Sequence, residues 1–419
     1  MRLFFVICGI SSFVFLWIFH FFKFSSSFVE LKFNRVFEDS NFVHAVQLEA
    51  RQFFSKNVQH HDAEKYAVCP TVSTEIEVVM QSLRVIIPEV NLKKGNDYKT
   101  IFLWTKYFNS NYSEDFYFFH PGNETFVRYG CNNLCEVTRD QRLISSVDAV
   151  LFHARDLNVR VLPKIRKPHQ RWILYGLESP SFTNLPWKSI NGLFNWTMTY
   201  REDSDIQAKY GYTCKKSHLE KNEIRDYLKV KSREVVWFVS NCHTPSKREK
   251  YVRELAKFIS VDIYGKCGQK KCVPAQSSNC YKNTLNKYKF YLSFENSMCK
   301  DYVTEKFFNI LNYDIIPITF GGAKYENIIP ANSFINALNF PDPRDLAKLL
   351  KETGSNGTLY NEFFRWKTNY KVYLHRWMCE LCDKLHEDTM PTVRYNLEEW
   401  FVKEAKCLIW NSTIKKFLP

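Results

Sequence analysis

Neither an internal repeat nor a long low-complexity tract appears in the 419 residues, which sets aside solenoids, fibrous chains and extended linkers. Blocks of like charge are missing too. The chain carries 58 Lys and Arg against 44 Asp and Glu, a formal net charge of +14. These cations are dispersed and form no basic stripe, so no nucleic-acid partner is expected. The plain reading is a basic solvated surface, from which a cleft needs only a few charges to hold an anion. The length leaves room for two domains with real cores.

One long hydrophobic run is present. Leu3 to Phe22 (LFFVICGISSFVFLWIFHFF) contains a single titratable group, His20, and has the length needed to cross a bilayer. It is longer than the apolar part of a usual signal peptide, and no small-x-small cleavage site follows it. The expectation is a two-residue cytoplasmic tail (1–2), a retained transmembrane signal-anchor (3–22) and a polar, aromatic stem (23–61), with the bulk of the chain lumenal. Of thirteen cysteines, Cys8 lies in this span. The remaining twelve are an even set, with clusters at Cys131/Cys135, Cys267/Cys272/Cys280 and Cys379/Cys382. Such clusters suggest zinc in a cytosolic chain, but behind a membrane anchor they read as disulfides of unspecified pairing. The C-x-x-C at Cys379–Cys382 lacks the preceding strand of a thioredoxin-like site. Sequons at Asn111, Asn123, Asn356 and Asn411 suit a secretory route. Asn195 is a fifth candidate, in an aromatic run, FNWTMTYR, that is expected to pack rather than to carry a glycan.

Residues 62–230 read as a first α/β domain with strands at Thr100–Trp104, Ala149–His153 and Arg171–Tyr175. The last of these runs into Gly176-Leu177-Glu178-Ser179-Pro180, which sets the Glu178 carboxylate at the carboxyl end of a buried strand, where open sheets collect ligands. A Lys- and Glu-rich stretch from Leu219 to Arg233 reads as a helical connection. A second α/β domain, 231–395, opens with the strand Val235–Ser240. A helix is then predicted from Pro245 and Ser246, with Val252, Leu255, Ala256 and Ile259 as its apolar stripe and Arg248 in its first turn. There a guanidinium can hold phosphate or simply face solvent. Residues 396–419 are expected to form a C-terminal helix packing on the first domain.

The densest chemistry lies in Phe290 to Gly322 (FYLSFENSMCKDYVTEKFFNILNYDIIPITFGG). It reads as strand, polar turn, helix and strand, with Asp301 and Glu305 sharing one helical face and Tyr302 and Lys306 the next. Such a turn suits a phosphorylated ligand. The run SFENSMCKDYVTEK, the strand ending at Gly322 and IIPANSFINALNF at Ile328–Phe340 closely resemble the donor-binding signature of the eukaryotic α1,3-fucosyltransferases. The likeness extends with gaps over roughly Tyr98 to Cys382 and includes the LESP turn and the FNWTMTYREDSDI run.

This resemblance implies a GT-B fold, two Rossmann-like domains facing a cleft, in a Golgi membrane enzyme using GDP-β-L-fucose and a glycoprotein or oligosaccharide acceptor. It further implies inversion by single displacement. Glu178 matches the family's general base, and Arg248 and Lys306 match its pyrophosphate ligands. Glu305 resembles the ribose or sugar contact, while Asn296 and Tyr302 resemble further donor contacts. Asp203-Ser204-Asp205 has the D-x-D form of metal-dependent glycosyltransferases but falls where the resembled family has no donor metal. No tightly bound metal is therefore expected, with weak activation by Mn²⁺ or Mg²⁺ through GDP allowed. A metal-dependent enzyme using Asp203 and Asp205, or an inactive glycan-binding homologue, are the alternatives. Cys242, Cys299 and the insert Cys267–Cys280 resemble invertebrate members and leave the acceptor open between antennal and innermost N-acetylglucosamine.

Overall fold

Alternating buried side chains build two parallel sheets, and the computed structural model describes them through residues 98–108, 120–128, 131–217, 225–274, 277–373, 377–388, 396–411 and 416–418. All of these belong to one unit, Ala67–Pro419. The apolar run Leu3–Phe22, the stem and Asn111 lie outside the described residues. Among the described residues no helix is long and apolar enough to cross a membrane.

The first sheet holds β1 (Lys99–Leu103), β2 (Cys135–Thr138), β3 (Ala149–His153), β4 (Arg171–Gly176), β5 (Trp196–Thr199) and β6 (Ile206–Gln207), in the order β2-β1-β3-β4-β5-β6. Every neighbouring pair is parallel. All five residues of β3 are buried, as a parallel strand covered on both faces requires. Period 2 divides them. Ile101, Leu103, Leu151, Ile173 and Met198 pack with Trp377, Met378, Leu381 and Leu385 of the helix Trp377–Glu387. Phe102, Val150, Phe152, Trp172 and Leu174 pack with Leu397, Trp400, Phe401 and Ala405.

Residues 396–405 therefore cover the first sheet, although the predicted helix is much shorter. Only Glu398–Lys403 is helical, and two antiparallel strands, Ile409–Asn411 and Lys416–Leu418, follow it. The C-x-x-C pair does not close on itself. Spaced by three on the helix Trp377–Glu387, Cys379 and Cys382 present one face and bond Cys131 and Cys135 respectively. Each bridge closes a loop of nearly 250 residues (separations 248 and 247), so removing one should hurt. Cys131→Ser/Cys379→Ser is expected to lower unfolding free energy by about 2–4 kcal/mol, read from denaturant or thermal unfolding.

The second sheet runs β12-β11-β10-β8-β9, with β8 (Arg233–Phe238), β9 (Val261–Tyr264), β10 (Tyr288–Phe294), β11 (Ile316–Phe320) and β12 (Ile335–Asn336) all parallel. The expected helical connection before it is absent over the described part, where residues 225–232 are turn and loop. Val235, Trp237, Phe290, Leu292 and Phe294 face the helices Arg248–Leu255 and Pro343–Ser355, while Val236, Tyr288 and Tyr291 face the helix Ser278–Lys287 with its Leu285. The strand order reverses between β8 and β10. Loops leaving those two strands at their carboxyl ends thus diverge and open a crevice, the usual ligand position in such sheets.

Candidate active site

Arg248 and the 295–306 segment both leave strands at this reversal. Lys247 is left-handed (φ 54), so the helix begins at Arg248 and not at the predicted Pro245 or Ser246. That start turns Arg248 inward, and its side chain is buried. Its guanidinium donates to the Phe294 carbonyl and, at 3.3 Å, to the Asn241 carbonyl, and it lies 5.5 Å from the Trp237 ring centroid. Burial depresses its pKa, opposed chiefly by Glu295. Two buried polar atoms beside it, Arg248 Nε and Asn296 Oδ1, have no hydrogen-bond partner among the described residues. Buried groups of that kind are rare unless a ligand or water completes them.

The long helix predicted across Asp301 to Lys306 is not formed. Residues 295–304 are irregular, Asp301 is left-handed (φ 62) and only Glu305–Phe308 makes a helical turn. The cause is a competing set of side-chain bonds. The fully buried Glu295 accepts the Thr304 backbone N–H at 2.8 Å and its hydroxyl at 2.8–3.0 Å. Thr304 then caps the short helix. Lys306 Nζ stands 2.8 Å from Thr304 Oγ1, 2.9 Å from Glu305 Oε1 and 3.5 Å from Glu295 Oε2. Burial alone would lower the Lys306 pKa, but Glu295 and Glu305 outweigh it and raise the value, so the ammonium stays charged. Glu305 shows the converse. Burial works to raise its pKa and contact with Lys306 brings it below the ordinary carboxylate value. Half its side-chain surface remains open.

Glu178 approaches from the first sheet, just beyond β4. Burial raises its pKa, Lys306 and Glu305 act on it with opposite signs, and the neighbouring Tyr302 hydroxyl favours its ionised form. Next to it Ser179 Oγ meets Ser297 Oγ at 2.6 Å, both residues fully buried. The β4 turn and the segment after β10 are therefore in direct contact. Tyr302 packs edge-on against Tyr200 at 4.9 Å, and burial holds its phenol well above the ordinary value, leaving it a hydrogen-bond donor. Glu178, Tyr302, Glu305 and Lys306 form one electrostatic neighbourhood, joined on the second sheet by Glu295 and Arg248.

The sequence reading missed two tyrosines there. Tyr210 feels Tyr302, Glu305 and Glu178 and donates to the Leu177 carbonyl at 3.3 Å. Tyr107, just after β1, also feels Glu178 and Glu305. Neither has a local motif, because it is the sheet order that delivers them. Asp203 and Asp205 are engaged in the fold. Asp203 takes a bidentate bond from Arg201 at 2.6–2.8 Å, and Asp205 accepts the Thr197 N–H and hydroxyl at 2.8 and 2.9 Å. Among the sequons, Asn356 is exposed and caps the helix Gly357–Glu362, and Asn123 is half-buried. Asn411 lies in a strand. Asn195, kept among the glycan candidates although its aromatic run is expected to pack, does pack and is no acceptor. It is buried, and its Oδ1 is taken by the Trp172 N–H at 2.7 Å and by Arg166.

Both halves of this described region match known proteins. Residues 96–211 match the family model "Fucosyltransferase, N-terminal", and residues 228–400 match "Glycosyltransferase family 10 (fucosyltransferase) C-term". A mouse 4-galactosyl-N-acetylglucosaminide 3-α-L-fucosyltransferase 9 is 38% identical over 301 residues, 67% of this chain and 80% of the relative. A Drosophila melanogaster glycoprotein 3-α-L-fucosyltransferase A is 36% identical over 299 residues, 68% of this chain; the chain spans 58% of that relative's length. A solved α1,3-fucosyltransferase with GDP-fucose superposes with TM-score 0.47 at 15% identity, over 75% of this chain and 96% of the other. Through the matched halves and these relatives, the chain belongs to glycosyltransferase family 10, the fucosyltransferases.

Proposed function

We propose that this chain transfers L-fucose from GDP-β-L-fucose to the 3-hydroxyl of an N-acetylglucosamine in a glycoconjugate, with inversion at the anomeric carbon. The observation that carries the reading is the Ser179–Ser297 contact at 2.6 Å, which sets the turn holding Glu178 against the segment that carries Tyr302 and Lys306. In this reading residues 62–230 serve the acceptor and 231–395 the donor, as in a GT-B enzyme. Glu178 takes the proton from the acceptor hydroxyl as that oxygen attacks, and Tyr302 restrains its carboxylate. Charge growing on the departing GDP is met by Lys306 and Arg248, while Asn296 completes a donor contact and Glu305 contacts the donor's ribose or sugar. No resident metal is assigned a step, which leaves room for no more than weak activation by Mn²⁺ or Mg²⁺ through GDP.

The test is a screen of the lumenal part against each nucleotide sugar and a panel of defined N-glycans that separates antennal from innermost N-acetylglucosamine, with and without EDTA. GDP-fucose should be the working donor and EDTA should leave most transfer intact. Transfer from another nucleotide sugar alone, or complete loss in EDTA, would sink the reading. Leu3–Phe22 is further proposed to anchor the chain in the Golgi membrane with its catalytic part lumenal, a placement supported by five disulfides between described cysteines.

The proposed base also sets a pH limit. A base works only when ionised, and burial raises the Glu178 pKa above 4.5. Activity should therefore fall on the acid side at a higher pH than an ordinary glutamate gives. A kcat/KM profile checks this, and Glu178→Asp should move the limb whereas a remote carboxylate variant should not.

A further inference from the structure

The donor loop, residues 296–304, takes much of its fixation from the first sheet, although it follows β10 of the second. Ser297 bonds Ser179, and the Glu202 N–H reaches Asp301 at 3.4 Å. Lys300 Nζ stands 3.8 Å from Asp203, and Tyr302 packs on Tyr200. The C-terminal segment doubles this attachment. Its Leu397, Trp400, Phe401 and Ala405 sit in the first sheet's core. From there the chain runs alongside the donor loop, with the Lys300 N–H on the Ala405 carbonyl at 2.8 Å, the Leu408 N–H on the Met298 carbonyl at 3.0 Å, and a disulfide joining Cys407 to Cys299. Arg201, wholly buried, ties the strap down. It donates to the Trp400 carbonyl, stacks on that ring at 4.6 Å and pairs with Asp203.

We propose that the Cys299–Cys407 bridge, with Arg201 and Asp203, is a positioning device that fixes the donor loop from the first sheet. Asn296 and Tyr302 thereby meet the nucleotide sugar in register with Glu178. The proposal rests on the donor role given above. It also gives the Asp203-Ser204-Asp205 run a task other than metal binding, since its first carboxylate lies between Arg201, which holds the strap, and the loop's Lys300. Covalent closure suits this position. The loop has no regular secondary structure of its own, and small misplacements of reacting groups are costly.

The test compares Cys299→Ser/Cys407→Ser with Cys131→Ser/Cys379→Ser, which removes a bridge on the opposite face of the first sheet. All assays run well below the lowest melting temperature. The strap variant should raise KM for GDP-fucose and Kd for GDP about tenfold and lower kcat. The control should lose melting temperature while keeping both constants. Asp203→Asn should raise KM by about two- to fivefold, the reach of one partly exposed ion pair. Unchanged KM in the strap variant, or an equal rise in the control, overturns the proposal. Should the strap variant not fold, Asp203→Asn and Lys300→Met decide it, and unaltered KM in both overturns it. A wild-type protein that binds no GDP ends the functional reading itself, whereas normal wild-type binding with unaltered variants ends the strap alone.

Discussion

Glu178→Gln should cut fucose transfer by about 10²–10⁴-fold, the range a positioned general base supplies, while GDP binds as in the wild type. The amide is isosteric and fits beside the Tyr302 hydroxyl that neighbours the carboxylate. The fold should therefore survive and only proton abstraction should be lost. In the proposed reading GDP meets the other sheet's cations, so its affinity has no reason to follow. Calorimetry with GDP beside a transfer assay is the check. Lost GDP affinity would return Glu178 to a structural part in the Ser179-Pro180 turn.

Lys306→Ala should instead damage donor binding and chemistry together. Removal of a single preorganised group that stabilises developing charge costs about 10²–10³-fold in kcat. Here the loss has two sources. The ammonium no longer meets the pyrophosphate, and Glu295, fully buried 3.5 Å away, is left as an uncompensated anion facing an anionic ligand. Truncating one partner of a buried charge pair carries that second penalty. Lys306→Ala/Glu295→Gln should accordingly recover part of the GDP affinity lost in the single variant. A double variant no better than Lys306→Ala would show that Glu295 does not act through its charge.

Glu178 was legible because a short apolar strand ending in a carboxylate is a local pattern, and Lys306, Glu305 and Tyr302 because they crowd one turn. Their conformation was not legible. The spacing Asp301 to Glu305 suits a helix, and local propensity had no way to register that Glu295 would capture Thr304 or that Ser297, Lys300 and Tyr302 would bind a different sheet. Arg248 was undecided between solvent and site. One left-handed residue, Lys247, turned it inward. Asn195 packs as its aromatic run suggested, and the structure adds the partner: its amide oxygen accepts a backbone N–H on β4.

The sequence by itself determined the family, the even set of twelve cysteines beyond the span, and which side chains carry charge near the donor signature. Those depend on residue identity and short spacing. Tertiary structure decided which cysteines pair, that the loop after β10 is held from the first sheet, and that the turn holding Glu178 meets the 295–306 segment across more than a hundred residues of chain. Such pairings depend on strand order and sheet-to-sheet contact, which no local pattern records.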